Sequence, residues 1–106
     1  MSRIIYVDID YTICDYDPDA REYPLARPLY DRIAKINQLY DEGNEIVYWT
    51  ARGTVTGLDW RQLTESQFEE WGVKYHDLMF GKPAYDLFID DKNINSETFF
   101  ENQEKK

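Results

Sequence analysis

Two aspartates, Asp8 and Asp10, stand two residues apart where the apolar run Ile4-Ile5-Tyr6-Val7 ends. On a β-strand that spacing sends both side chains to one face. Carboxylates held together repel unless a cation or a shared proton intervenes. A divalent metal would do this, because hard cations take oxygen ligands. Two later apolar runs also end in residues suited to chemistry: Ile46-Val47-Tyr48-Trp49 in Thr50, and residues 85–89 in Asp90-Asp91. Lys82, in Gly81-Lys82-Pro83, lies just before the last run. If the strands are parallel, these residues meet on the rim where open α/β sheets bind ligands. Acids, a hydroxyl and a cation make an inventory for phosphate handled with a metal. Asp8 is the nucleophile, Thr50 and Lys82 grip phosphoryl oxygens, and the acids hold magnesium.

The elements that must position these residues follow from pattern. Residues 3–9 are rich in β-branched and aromatic side chains and read as a buried strand. No period holds over 10–28, where Asp15, Asp17, Pro18, Asp19, Pro24 and Pro28 mark a loop or small flap. Residues 29–41 turn helical, with Ile33, Ile36 and Leu39-Tyr40 at helical spacing and Gly43 as the stop. With the run 45–50 they form a right-handed βαβ unit. Residues 58–71 are helical and close at Gly72; the capping-box pattern Thr64-Glu65-Ser66-Gln67 suggests a break into two helices. Residues 76–80 suit a third strand and 85–89 a fourth. Only four residues separate them, far fewer than the roughly dozen a parallel crossover between neighbours requires. Ser96 is the expected cap of a short last helix, and 103–106 are expected to fray.

Composition narrows the function. A chain of 106 residues allows one domain, 1–106, and one modest core. A net charge of −9 disfavours nucleic acid and anionic membrane, which need a basic face. Cys14 is the one cysteine, so an internal disulfide is excluded. The lack of a signal-like start or a spanning apolar run points to a soluble, cytoplasmic protein.

The order Asp8-Ile9-Asp10-Tyr11-Thr12, Thr50 after an apolar strand, Lys82, then Asp90-Asp91 resembles the haloacid dehalogenase superfamily of phosphohydrolases. All four motifs stand in order across almost the whole chain. More narrowly, Thr50-Ala51-Arg52-Gly53 and Gly81-Lys82-Pro83 with the run into Asp90-Asp91 resemble small phosphatase-like members found among bacterial surface-polysaccharide genes. The resemblance implies a Rossmann-like, three-layer α/β/α fold with a mostly parallel sheet and no cap beyond the flap 11–28. It implies that Asp8 forms an aspartyl-phosphate and that Asp10 protonates the leaving oxygen, then activates water. Thr50 and Lys82 would bind the phosphoryl group. Asp8, the Asp10 backbone carbonyl and Asp90 would bind magnesium, with Asp91 in support. Most relatives have glycine at Tyr11; tyrosine restricts that turn and sets a ring at the entrance, where it could gate or contact substrate. A receiver domain uses similar parts, but its acid pair comes early, whereas Asp90-Asp91 comes last.

Each motif also has a plainer reading. Lys82 alone is a solvated loop lysine, Thr50 a strand-end turn residue, and Asp90-Asp91 a polar strand end. Arg52 either contacts a substrate anion or is a surface arginine paired with an acid. His76 reads as structural and Trp49, Trp60 and Trp71 as packing residues. The joint arrangement favours a magnesium-dependent phosphomonoesterase acting on a phosphorylated sugar or other small metabolite. The alternatives are a non-catalytic phosphate- or partner-binding module and a phosphotransferase to an acceptor other than water. A capless site is open, and a neighbouring subunit of a homo-oligomer could cover it.

Overall fold

A computed structural model describes residues 2–104 of the chain. The elements are β1 (Ile4–Val7), β2 (Cys14–Asp15), β3 (Arg27–Pro28), α1 (Tyr30–Asp41), β4 (Glu45–Trp49), α2 (Arg61–Trp71), β5 (Asp77–Met79) and α3 (Ser96–Glu104). The sheet order is β1-β4-β5, parallel throughout, with Ile5 opposite Ile46 and Tyr48 opposite Leu78. Segment 11–28 folds into a small antiparallel hairpin, Cys14 opposite Pro28, with Arg27 paired to Asp15 at 2.9 Å.

Side chains alternate across a strand, so the two faces of the sheet have different fates. Val7, Ile9, Ile46, Tyr48 and Leu78 join Ile33 and Ile36 of α1, Phe68 and Trp71 of α2 and Phe100 of α3 in one core cluster. The connections β1-α1-β4 and β4-α2-β5 step in the same direction, and right-handed crossovers then place both helices on the same face. All three helices thus contribute to one core cluster with the sheet. The α1 stripe works as its spacing foretold: Ile33 and Ile36 are buried and Leu39 and Tyr40 pack beside them. Gly72 ends α2 in the left-handed region at φ 71°, where its N–H reaches the carbonyls of Glu69 and Phe68.

Several expectations are corrected. Residues 85–89 form no strand. The Lys82 N–H is held by the Thr50 carbonyl at 3.1 Å, at the carboxyl end of the sheet. Tyr85 follows three residues later, within about 10 Å, so the chain cannot return to the amino end to begin another full parallel strand. Residues 76–80 do supply the third strand, β5, and its neighbour is β4 rather than 85–89. Thr64 caps nothing: α2 is one helix, and Thr64 lies inside it, buried. At α3 the cap is Asn95, whose side-chain oxygen accepts from the Glu97 N–H at 2.9 Å, in place of Ser96. Of the residues expected to fray, Gln103 and Glu104 continue α3, and Lys105 and Lys106 lie outside the described residues. No helix among the described residues is long and apolar enough to cross a membrane.

The Tyr48 hydroxyl, buried beneath Phe68, has no hydrogen-bond partner among the described residues. A buried, unpaired hydroxyl costs about 1–3 kcal/mol. Tyr48→Phe should therefore raise the unfolding free energy by about 1 kcal/mol in urea titration, with the slope unchanged.

Candidate functional site

Strand β1 ends at Val7, so the period-two rule stops before it reaches both aspartates. The chain instead turns tightly, with the Thr12 and Ile13 N–H groups both donating to the Ile9 carbonyl. Asp8 and Asp10 diverge, and each finds its own cation. Asp8 meets the Lys82 ammonium at 3.5 Å, and 39% of its side chain stays open to solvent. Asp10 turns inward to Arg52, whose side chain has no exposed surface. Burial pushes the Asp8 carboxyl above its ordinary value, and neighbouring Asp10 adds to this. Lys82 and the Ile9 N–H pull the other way without cancelling it.

Arg52 is the most enclosed charged group of the site. Its Nε donates to both Asp10 oxygens, at 3.3 and 3.1 Å, and Nη2 to Asp10 Oδ1 at 2.9 Å. Nη1 donates to Thr64 Oγ1 at 3.0 Å and Gln67 Oε1 at 2.7 Å. The Tyr23 ring lies 4.9 Å from the guanidinium carbon, and the Tyr16 hydroxyl accepts from Nη2 at 3.4 Å. Burial disfavours the charged guanidinium, but the hydrogen bonds and charge of Asp10 more than offset it and raise its pKa. Arg52 is thus paired with an acid, as one of its two readings has it, but in the interior and not at the surface.

The same pocket disposes of Cys14. Its thiol is buried and points at Asp10, and burial with that negative charge pushes it up to about 12. The Tyr16 hydroxyl donates to Asp10 at 2.5 Å, and burial together with Asp10 raises that phenol. His76 is structural: its Nδ1 accepts from the Ile46 N–H at 3.0 Å and its ring stacks on Tyr40.

The rim brings some of the proposed residues together and leaves others apart. Thr50 is buried at the end of β4; its hydroxyl accepts from the Arg52 N–H at 3.1 Å, and its carbonyl holds Lys82. Gly53 closes the loop after Thr50. It has φ 81°, and a Cβ there would fall 2.1 Å from the Leu58 carbonyl oxygen. Tyr11 adopts φ 62°, the left-handed turn that glycine makes readily, with its ring against Tyr16. Asp90 and Asp91 are exposed, and Asp90 accepts the Lys92 N–H. Among the described residues no three His, Cys, Asp or Glu side chains stand close enough to hold a metal ion. Of the expected magnesium set, the Asp10 carboxylate, though not its backbone carbonyl, is taken up by Arg52, and Asp8, Asp90 and Asp91 form no metal-holding group among the described residues. The groove of about 360 Å³ along Pro28, Leu29, Tyr30, Asp31 and Arg32 belongs to the start of α1 and contains none of the rim residues.

Tyr16, Tyr23, Thr64 and Gln67 were not singled out from the sequence as site residues. A signal existed for two of them: Thr64, Gln67, Phe68 and Trp71 follow i, i+3, i+4, i+7, which places two polar residues on the core face of α2.

No family model and no curated protein matches the chain. It is similar to the crystal structure of a structural-genomics target from Vibrio cholerae, with a TM-score of 0.80 and 24% identity over 93% of this chain and 87% of that one. At that identity the likeness carries the α/β fold alone.

Two outcomes test the electrostatics. Removing one member of a buried ion pair costs about 3–5 kcal/mol. Arg52→Met should therefore destabilise by that amount, and Asp10→Asn combined with it should cost clearly less than the two single changes together. Because Asp8 titrates above its unfolded value of 3.8, its contribution is complete below 3.8 and is lost as pH rises through the raised value. Asp8→Asn should then melt higher than wild type at pH 7 in chelator-treated buffer, and the gap should close in acid.

Proposed function

We propose that the chain is a phosphomonoester hydrolase of the haloacid dehalogenase type, working through an aspartyl-phosphate on Asp8. The observation that carries this reading is the approach of three separate segments at one rim: Asp8 after β1, Thr50 after β4, and Lys82 beyond β5. Phosphoryl transfer asks mainly for positioning and charge neutralisation. Asp8 is open enough to attack phosphorus, and Lys82 can stabilise the charge that develops on the phosphoryl oxygens. The Thr50 hydroxyl, already accepting from Arg52, has its own proton to donate to such an oxygen. While Asp10 accepts from Arg52 on both oxygens it suits the water-activating half of its role better than the proton-donating half. The cytoplasm and a small phosphorylated metabolite complete the proposal, as does a Rossmann-like architecture of the family's kind. Magnesium dependence is proposed for an arrangement in which segment 83–95 brings Asp90 to the rim, and no step is assigned to the ion here.

A second reading, a non-catalytic phosphate-binding module, is favoured by the Asp10–Arg52 pairing and by Tyr11 in the left-handed region. A third, transfer to an acceptor other than water, uses the same Asp8 chemistry. A panel of phosphate esters, with and without magnesium and with added alcohol acceptors, separates all three. Hydrolysis should be lost in Asp8→Asn, a variant expected to melt above wild type at pH 7, so the loss would not reflect unfolding. Tyr11→Gly should raise turnover severalfold by freeing the turn. Undiminished turnover by Asp8→Asn would refute the nucleophile, and a silent wild type with measurable phosphate binding would establish the second reading.

A further inference from the structure

The face of the sheet turned away from the helices is bare and apolar. It carries Ile4 and Tyr6 of β1, 67% and 56% exposed, Val47 and Trp49 of β4, and Met79 of β5, 36% exposed. They form a continuous patch: Tyr6 meets Trp49 edge-on at 6.0 Å, and its hydroxyl reaches the Met79 sulfur at 3.9 Å. Val47, 4% exposed, lies on the middle strand of this face between them. Parallel sheets occur almost only with both faces covered, and here one cover is missing.

We propose that a second copy of this chain covers the face, the two bare sheets packing together around a twofold axis so that each supplies the other's third layer. Two observations favour this occupant. Segment 83–95 is tied at both ends elsewhere, through Lys82 to Thr50 and through Ser96 to the Tyr11 carbonyl. Charge also selects the face. At −9 overall, two copies repel over most of their surface, while this patch is neutral at its centre and carries both signs at its margin, Arg3 against Glu45 and Asp77. A twofold pairing sets like patch on like patch, which an apolar centre tolerates. Ile4, Tyr6 and Met79, with the half-buried Trp49, expose about 400 Å² in all, the size of the largest apolar patch on a typical monomer, which is often functional. That is half of the about 800 Å² each partner gives to a standard interface, so the margin must join in and the pair should be micromolar.

Sedimentation velocity from about 5 to 500 µM tests this across the expected dissociation range. The expected result is a twofold rise in mass across the series, strengthened by added salt as the repulsion between acidic copies is screened. Tyr6→Arg and Ile4→Lys, both at exposed positions, should each weaken association at least tenfold while leaving the circular dichroism and melting of the monomer unchanged. A monomer at every concentration, a dimer indifferent to both substitutions, or a dimer that salt dissociates would overturn the proposal.

Discussion

A guanidinium without exposed surface can persist only if its donors are met, and in this protein meeting them organises the site. Arg52 is met on one side by Asp10 and on the other by Thr64 and Gln67, with Tyr16 and the Tyr23 ring closing the remaining directions. These partners come from the turn after β1, the hairpin 11–28 and α2. Gln67 extends the bracing, since its amide donates to the Tyr23 carbonyl at 2.7 Å. The hairpin is therefore a braced wall beside the rim. Swinging it away would strip Tyr16 and the Tyr23 ring from the buried guanidinium and break the Gln67–Tyr23 bond, leaving buried polar groups unmet, and that is expensive. Asp10, being the anion of this pair, is withdrawn from the rim that its spacing from Asp8 suggested.

Much of the scaffold was legible because it depends on periodicity. The α1 stripe, the Gly72 stop and the runs that became β1, β4 and β5 all follow from side-chain alternation and helical spacing. Arg52 was legible as a candidate, but its burial and its partners were not, because a lone arginine after a strand has no period and those partners lie up to 42 residues away in sequence. The capping-box reading of Thr64 failed for a related reason. Local hydrogen-bond preference suggested a helix start, but a buried cation needed that hydroxyl in mid-helix. Tertiary demand overrode local preference at the one place where a charge had to be buried.

The physics applied to Asp8 and Asp10 holds, although the cations differ from the one first considered. Two carboxylates two residues apart do require positive charge, and the chain provides it from two side chains. The division is unequal. Lys82 is a flexible point charge at 3.5 Å from an open carboxylate, whereas Arg52 is a rigid fork locked on a covered one. Asp8 therefore keeps the freedom that a nucleophile needs, and Asp10 has a fixed orientation. Tyr11, the residue after Asp10, holds a left-handed conformation unfavourable for its side chain. The tight turn closed on the Ile9 carbonyl runs through Asp10 and Tyr11, so the strain at Tyr11 belongs to the same turn that carries Asp10.

A single feature of the connectivity also accounts for the other departures from the expected architecture. After β5 the chain reaches Lys82 at the carboxyl rim and has too few residues before Tyr85 to cross back. Without that return, the described residues include no crossover helix after β5, no full fourth parallel strand, and no strand end leading into Asp90 and Asp91. The apolar side chains that such a strand would bury, Leu87 and Ile89, remain 75% and 87% exposed. The bare sheet face and the dispersed carboxylates are thus the same short connection seen from two sides.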